Sequence, residues 1–111
     1  MKARLDSLPG AVAEPGPAAG VSLYKIRGKL FAILEERRES VILKSDPDLV
    51  PVLLEQYAGV SQRSHLDRRF WVCVSLDADV PANELARLVD RSYALVRANL
   101  TRKQEAELAA S

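Results

Sequence analysis

Two residue types that build many functional sites are nearly absent, since the 111-residue chain has one cysteine, Cys73, and one histidine, His65. A single cysteine excludes a disulfide framework, and the two residues together are too few for a Cys/His zinc site within one chain. Charge of one sign is not in excess either, because 16 Lys and Arg against 15 Asp and Glu leave a net charge of +1. Net charge alone therefore does not drive this protein onto nucleic acid or a membrane.

Long apolar runs are also missing. No segment approaches the roughly 18 consecutive apolar residues of a membrane span. No apolar stretch follows Lys2 and Arg4, as a secretory signal would require. Cys73 lies within an apolar run, which suits a reducing compartment. These features predict a cytoplasmic protein without a membrane partner.

The composition is typical of one globular domain. Apolar residues make up 48% of the chain and charged residues 28%, and a chain of this length buries enough surface for one core. Residues 9–20 contain three Pro and three Gly, which predicts irregular structure. The few residues before them are too short for a stable helix on their own. We expect a single domain over residues 1–111 in which residues 1–20 form an irregular, shortened lead-in.

Hydrophobic periodicity predicts four strands. Polar and apolar residues alternate at residues 22–27, an apolar run returns at 30–34, and a third strand follows at 40–44. A β-branched and aromatic run predicts the fourth strand at residues 70–76. The first three strands are joined by short connections, which favours an antiparallel meander of neighbours.

Helix signals follow these strands. Ser45 or Asp46 is expected to cap a helix with Pro47 at its first position, and Pro81 is expected to open the longest helix. Asp79 or Val80 is expected to cap that long helix. The pattern of residues 101–104 matches a capping box and predicts a short last helix. The order of elements predicts a two-layer α+β domain with helices on one face of an antiparallel sheet.

The sequence has none of the common catalytic or cofactor-binding motifs. The sequence has no glycine-rich phosphate loop, no serine elbow and no H-E-x-x-H pattern. Cys73 alternates with valines on a predicted central strand, so an inert buried thiol is the expected state. Asp77 and Asp79 lie where a strand-to-helix turn favours aspartate. We therefore expect a protein that is not an enzyme and has no cofactor and no metal site.

Positive charge is the one local bias of the sequence. Two segments are basic, and arginine suits phosphate because its planar guanidinium donates two hydrogen bonds at once. Flanking a sheet that carries Tyr24, Phe70 and Trp71, these segments would suit a nucleic-acid backbone. The alternative is that the basic residues are solvated tips of hairpins and that the aromatic residues belong to the core. The candidate nucleic-acid-binding residues are Lys25, Arg27, Lys29, Arg63, His65, Arg68 and Arg69.

Five stretches in this order and spacing resemble the MmcQ/YjbR family of small bacterial proteins. They are residues 25–32, 41–47, 64–71, 76–81 and 88–93. Leu8-Pro9-Gly10 is similar to a Leu-Pro-Gly that follows the first helix of the family. The resemblance covers nearly the whole chain. Its departure is the short segment before Leu8, where the family has a full helix.

The resemblance implies a CyaY-like α+β fold with a double-wing arrangement, and a DNA-binding function. It offers no catalytic residue that can be placed on this chain. A CyaY-like fold also suggests iron binding, but the acid-rich first helix that iron would need is absent.

Two functional hypotheses follow from these observations. The first is weak, non-specific DNA binding through the two basic segments. The alternative is a protein-interaction or self-association module, suggested by the short first helix and by a long helix whose apolar stripe exceeds what one sheet would cover.

Overall fold

The computed structural model describes residues 1–110 as a six-stranded sheet with four α-helices. The helices are α1 (Lys2–Ser7), α2 (Val50–Gln56), α3 (Ala82–Arg97) and α4 (Arg102–Ala110). The strands are β1 (Ala11–Pro15), β2 (Val21–Ile26), β3 (Lys29–Glu35), β4 (Ser40–Lys44), β5 (Val60–Ser61) and β6 (Trp71–Ser75). A 3₁₀ turn, Glu36–Arg38, joins β3 to β4.

The sheet has the order β1-β2-β3-β4-β6-β5, and every neighbouring pair is antiparallel. The four strands predicted from periodicity are present to within one residue at each end. Strand β6 joins the meander beside β4 only after the chain has passed through α2 and β5. The α+β fold class is therefore confirmed.

The two faces of the sheet have different surroundings. Tyr24, Ala32, Leu43 and Val72 form one transverse row, and all four belong to the buried core that includes residues of α1, α2, α3 and α4. We call this side the helix face. Residues one position away point to the opposite side, because side chains alternate along a strand. We call that side the open face, and its central row is Leu23, Ile33, Ile42 and Cys73.

A buried serine joins α3 to the centre of the sheet. The Ser92 hydroxyl donates to the Phe31 carbonyl oxygen at 2.5 Å and accepts from the Lys44 amide at 2.9 Å. Phe31 and Lys44 face each other just beyond the last β3–β4 pair, Ala32 and Leu43. The hydroxyl thus replaces a ladder hydrogen bond at this position. A small side chain also lets α3 approach the strands closely.

The N-terminal prediction was wrong. Residues 9–20 are not irregular throughout, because Ala11–Pro15 forms strand β1 and pairs with β2 over five positions. The preceding segment forms α1, whose Leu5 is 0% exposed. The Tyr93 hydroxyl donates to the Pro9 carbonyl oxygen at 2.5 Å and fixes the link between α1 and β1. Tertiary contacts therefore order a segment whose composition alone predicts a loop.

Two helix starts also differ from prediction. Helix α2 begins at Val50, with Pro51 in its first turn, so Asp46 and Pro47 precede it. The Asp46 carboxylate instead binds Arg91 of α3 at 2.8 Å, which lowers the pKa of Asp46. Helix α3 is preceded by Pro81 at the N-cap position, outside the helix.

The Asp79 carboxylate does not cap α3. It accepts hydrogen bonds from the amides of Ala58 and Gly59 at 2.8 and 2.7 Å. The capping box of α4 is confirmed: Thr101 Oγ1 accepts from the Gln104 amide, and Gln104 Oε1 accepts from the Thr101 amide.

The two edges of the sheet are blunt. At the end of β1 the Gly16 amide donates to the Val21 carbonyl oxygen of β2. Because successive residues of an antiparallel strand alternate between bonding to the partner strand and facing away from it, the backbone of Pro15 faces outward. Proline has no amide to donate at that edge. On the other side β5 is only two residues long, and beyond it the Gln62 side chain donates to the carbonyl oxygens of Arg68 and Trp71.

We expect Ser92→Ala to lower the free energy of unfolding by about 1–3 kcal/mol, because a buried amide and a buried carbonyl lose their partner while the side-chain volume hardly changes. Denaturant unfolding measures this change. Ser7→Ala, an exposed serine that bonds only to the Arg4 carbonyl, is the control and should stay within about 0.5 kcal/mol of the parent. Equal stability of the two variants would contradict the role assigned to Ser92.

We also expect Glu39→Gln to raise the melting temperature at neutral pH. Glu39 has a left-handed backbone, φ 48°, and its carboxyl hydrogen-bonds that of Asp77, whose nearby charge raises the pKa of Glu39. The protonated carboxyl of Glu39 therefore stabilises the fold fully at pH values below 4.5, the ordinary pKa of the group. This contribution is lost as the pH rises through the raised pKa. The introduced amide remains a donor at every pH.

Thermal unfolding from acid to neutral pH checks this expectation, with Glu36→Gln on the same turn as the control. The difference between Glu39→Gln and the parent should grow as pH rises. A difference independent of pH would show that the Glu39–Asp77 contact is not responsible.

Candidate nucleic-acid interface

The two basic segments lie at the same end of the sheet. The β2–β3 turn follows Ile26, which pairs with Lys29, and β6 begins at Trp71, which pairs with Lys44 at the end of β4. Three inter-strand spacings separate the turn from the β5–β6 loop, or about 14 Å. The fold therefore places the segments on one rim, but not side by side.

The three cations of the first hairpin have intramolecular partners. Lys25 pairs with Glu14 at 2.8 Å, and Arg27 pairs with Glu107 of α4 at 2.9 Å. The Lys29 ammonium donates to the Asn99 carbonyl oxygen, just after α3. These residues attach the hairpin to β1 and to the C-terminal helices, so two of the three charges are balanced within the protein.

The β5–β6 loop contains cations of two kinds. The Arg69 guanidinium pairs with the Asp67 carboxylate at 2.7 Å. This ion pair and a hydrogen bond from the Arg69 backbone amide together lower the pKa of Asp67 to about 2. Arg68 donates to the Gln62 carbonyl oxygen at 3.2 Å, and Arg63 donates to Ser61 Oγ at 3.3 Å. Within residues 1–110 neither Arg63 nor Arg68 has a carboxylate at ion-pair distance. His65 is exposed in the same loop.

Lys44 is a cation that sequence reasoning missed. It ends β4 on the open face, directly opposite Trp71, and its ammonium lies 5.8 Å from the centre of the Phe70 ring. In the part of the chain that the structure describes, Lys44 also has no carboxylate partner. Its place on the open face and its neighbour follow from the pairing of β4 with β6.

Lys44, Trp71 and Arg63 lie near one another on the open face, and we call these three residues the cation–indole row. Lys44 pairs directly with Trp71, whereas Arg63 follows strand β5, which ends at Ser61 opposite Cys73. The Arg63 guanidinium approaches Cys73 Sγ at 3.7 Å, which places it on the open face. Cys73 itself is 2% exposed, as predicted.

The aromatic residues divide between the two faces. Tyr24 is 0% exposed and packs edge-on against Phe31 in the core, so it is not part of this surface. The Phe70 ring is contacted by the Lys44 ammonium and by the Arg69 guanidinium, the latter at 5.1 Å. Trp71 is half-buried on the open face.

The remainder of the open face is largely apolar. Leu23, Leu30 and Ile33 are half-buried there, and none of them belongs to the core packed against the helices. By contrast, the apolar stripe of α3 is covered, since Leu88 and Val96 are buried. The uncovered apolar surface thus lies on the sheet and not on the long helix.

Asp77 and Asp79 have different hydrogen-bond partners. Asp79 binds two backbone amides, and Asp77 accepts from the Ser75 hydroxyl at 2.8 Å. Among residues 1–110 no group of three or more His, Cys, Asp or Glu is arranged to hold a metal ion. In the same range no helix is long and apolar enough to cross a membrane.

Together these features define a small α+β domain with one helix-covered sheet face and one open face that ends in a cation–indole row. Comparison with known sequences identifies the group to which it belongs. The sequence model of the YjbR family matches residues 6–95, and the chain belongs to this family. The resemblance noted from the sequence is thereby confirmed.

Relatives and solved structures agree with this assignment. Uncharacterized protein YjbR of Escherichia coli K12 and that of Escherichia coli O157:H7 are each 33% identical to this chain over an alignment of 90 residues, with coverage of 74% of this chain and 76% of the relative. A crystal structure of a Deinococcus radiodurans protein of the DUF419 domain family superposes with a TM-score of 0.85 at 25% identity, covering 97% of this chain and 84% of that one. A Pseudomonas syringae protein shares the fold, with a TM-score of 0.73 at 18% identity over 87% of this chain and 98% of that one.

Proposed function

We propose that this protein is a non-enzymatic nucleic-acid-binding domain that holds the phosphate backbone weakly through Lys44, Arg63 and Arg68. The observation that carries the proposal is an imbalance of charge at one end of the open face. These three cations have no carboxylate partner among residues 1–110, whereas Lys25, Arg27 and Arg69 are paired. A paired cation must give up its carboxylate before it can neutralise a phosphate.

The number of cations without a carboxylate partner sets the expected affinity for nucleic acid. Binding to nucleic acid gains free energy when a cation neutralises a phosphate and releases a condensed counterion. With about three such contacts, we expect a dissociation constant of about 10⁻⁶ M or weaker at physiological salt. Phosphate contacts carry no base information, so little sequence preference is expected.

The absence of a catalytic role is part of the proposal. Its support is that the chemically reactive groups are already engaged: Cys73 is buried, and Asp79 holds two amides of the α2–β5 connection. His65 is exposed in the loop and would reach the backbone as a further polar contact.

We expect the triple variant Lys44→Ala, Arg63→Ala, Arg68→Ala to lower the slope of log affinity against log salt by about 2–3, since each lost phosphate contact removes about 0.7–0.9. Fluorescence anisotropy of a labelled oligonucleotide at about 50 and 200 mM salt measures the slope. The matched control is Lys25→Ala, Arg27→Ala, Arg69→Ala, which removes three balanced cations. A larger effect of the control would contradict the assignment, and salt-independent or absent binding of the parent would overturn the function.

We propose self-association through the open face as a second candidate function. Its support is the apolar centre of that face together with the distribution of charge. Lys44 lies at one end, and Glu35, which pairs with Ser40, lies at the other. A two-fold axis through the centre, near Ile33, would place the cations of one copy against the acids of the second.

If this second function is correct, sedimentation should show a dimer at high concentration, and Ile33→Lys should dissociate it. Val52→Lys is the control, since Val52 is 51% exposed on α2, away from the open face. A protein that stays monomeric, or a dimer that survives Ile33→Lys, would eliminate this candidate without affecting the first.

A further inference from the structure

We propose that the nucleic acid held by this protein is single-stranded, and that one of its bases stacks on the indole of Trp71. This inference rests on the proposed function, because it uses the same cations. It adds a preference that phosphate contacts alone do not give, since both duplex and single strand carry phosphates.

The cation–indole row has the arrangement that such a contact needs. Lys44 pairs with Trp71 from the neighbouring strand, about 5 Å away across the sheet. The Arg63 guanidinium donates to the sulfur of Cys73, which lies two residues along β6 from Trp71 on the same face. A single strand that lies on this surface would meet a cation on two sides of the indole.

Trp71 differs from the other aromatic residues in being available. Tyr24 and Tyr93 each contact Phe31 in the core, Tyr57 packs against the core, and the Phe70 ring is contacted by two cations. Within residues 1–110 the Trp71 ring takes part in no ring–ring or cation–ring contact.

The backbone of Trp71 is nevertheless held firmly. Its amide donates to the Asp67 carbonyl oxygen at 3.0 Å, and its carbonyl accepts from the Gln62 side chain. The backbone that carries the indole is thus held in place, and the ring is half-buried on the open face.

The shape of the open face favours a single strand over a duplex. The major groove of a duplex admits a helix or a two-stranded ribbon, but all four helices of this protein contact the other face of the sheet. Bases within a duplex are stacked on each other and present no free ring surface. Unstacked bases would also find the half-buried apolar side chains of Leu23, Leu30 and Ile33 on the same face.

The test uses the full chain with two labelled probes of equal length, an oligothymidylate of about 16 nucleotides and a duplex. The parent should bind the single strand more tightly, and its fluorescence, which comes from the one tryptophan of the sequence, should be quenched on binding. Trp71→Leu should weaken single-strand binding by about 5- to 100-fold, the usual effect of removing one stacking partner. Duplex affinity should change less than about twofold, because it depends on the cations.

Trp71→Phe keeps an aromatic ring and is the matched control, and it should retain most of the single-strand affinity. Should Trp71→Leu fail to fold, the quenching of the parent together with Trp71→Phe still decides the question. Equal affinity for both probes, no quenching, or displacement by polyglutamate as effective as by oligothymidylate would overturn the single-strand inference. If the triple cation variant still weakens binding in that case, the proposed function stands; if neither probe binds the parent, both proposals fail.

Discussion

The hydroxyl of Ser92 is the interaction on which both layers of this protein depend. It fills the place of a ladder hydrogen bond between Phe31 of β3 and Lys44 of β4, and it does so from the middle of the longest helix. The register of the two central strands, the approach of α3 and the position of the Lys44 backbone are thus fixed together. Because Lys44 faces Trp71 across the next ladder, the geometry of the open-face site is linked to a contact buried on the other side of the sheet.

The distribution of charge follows from the one-sided arrangement of the helices. Some of the cations that lie near the helices meet an acid, as Arg27 meets Glu107 and Arg91 meets Asp46. The open face has few acids near its β4–β6 end, so cations there stay unbalanced. A chain with a net charge of +1 therefore has a localised positive region without any excess in its composition.

Local signals in the sequence predicted most of the fold. Alternation predicted β2, apolar and β-branched runs predicted β3, β4 and β6, and residues 101–104 predicted the start of α4 because a capping box needs only neighbours. Strand β1 was missed, since Pro15 and the glycines beyond it suppress the local signal while the partner strand supplies the stability. The roles of Asp46 and Asp79 were missed for the same reason: each carboxylate binds groups at least 20 residues away. For the candidate site, the basic loops were visible in the sequence, but which cations are paired depends on contacts such as the one between Arg27 and Glu107, 80 residues apart.

The blunt edges of the sheet have a consequence for the behaviour of the protein in concentrated solution. Strands rich in Val, Ile and Leu, such as β3 and β4, are the kind of segment that assembles into cross-β fibrils when an unprotected edge recruits another chain. Here the hydrophobic strands are the innermost ones, while Pro15 and the side chain of Gln62 occupy the two margins. The protein can thus expose an apolar sheet surface to the cell without offering a template for fibril growth.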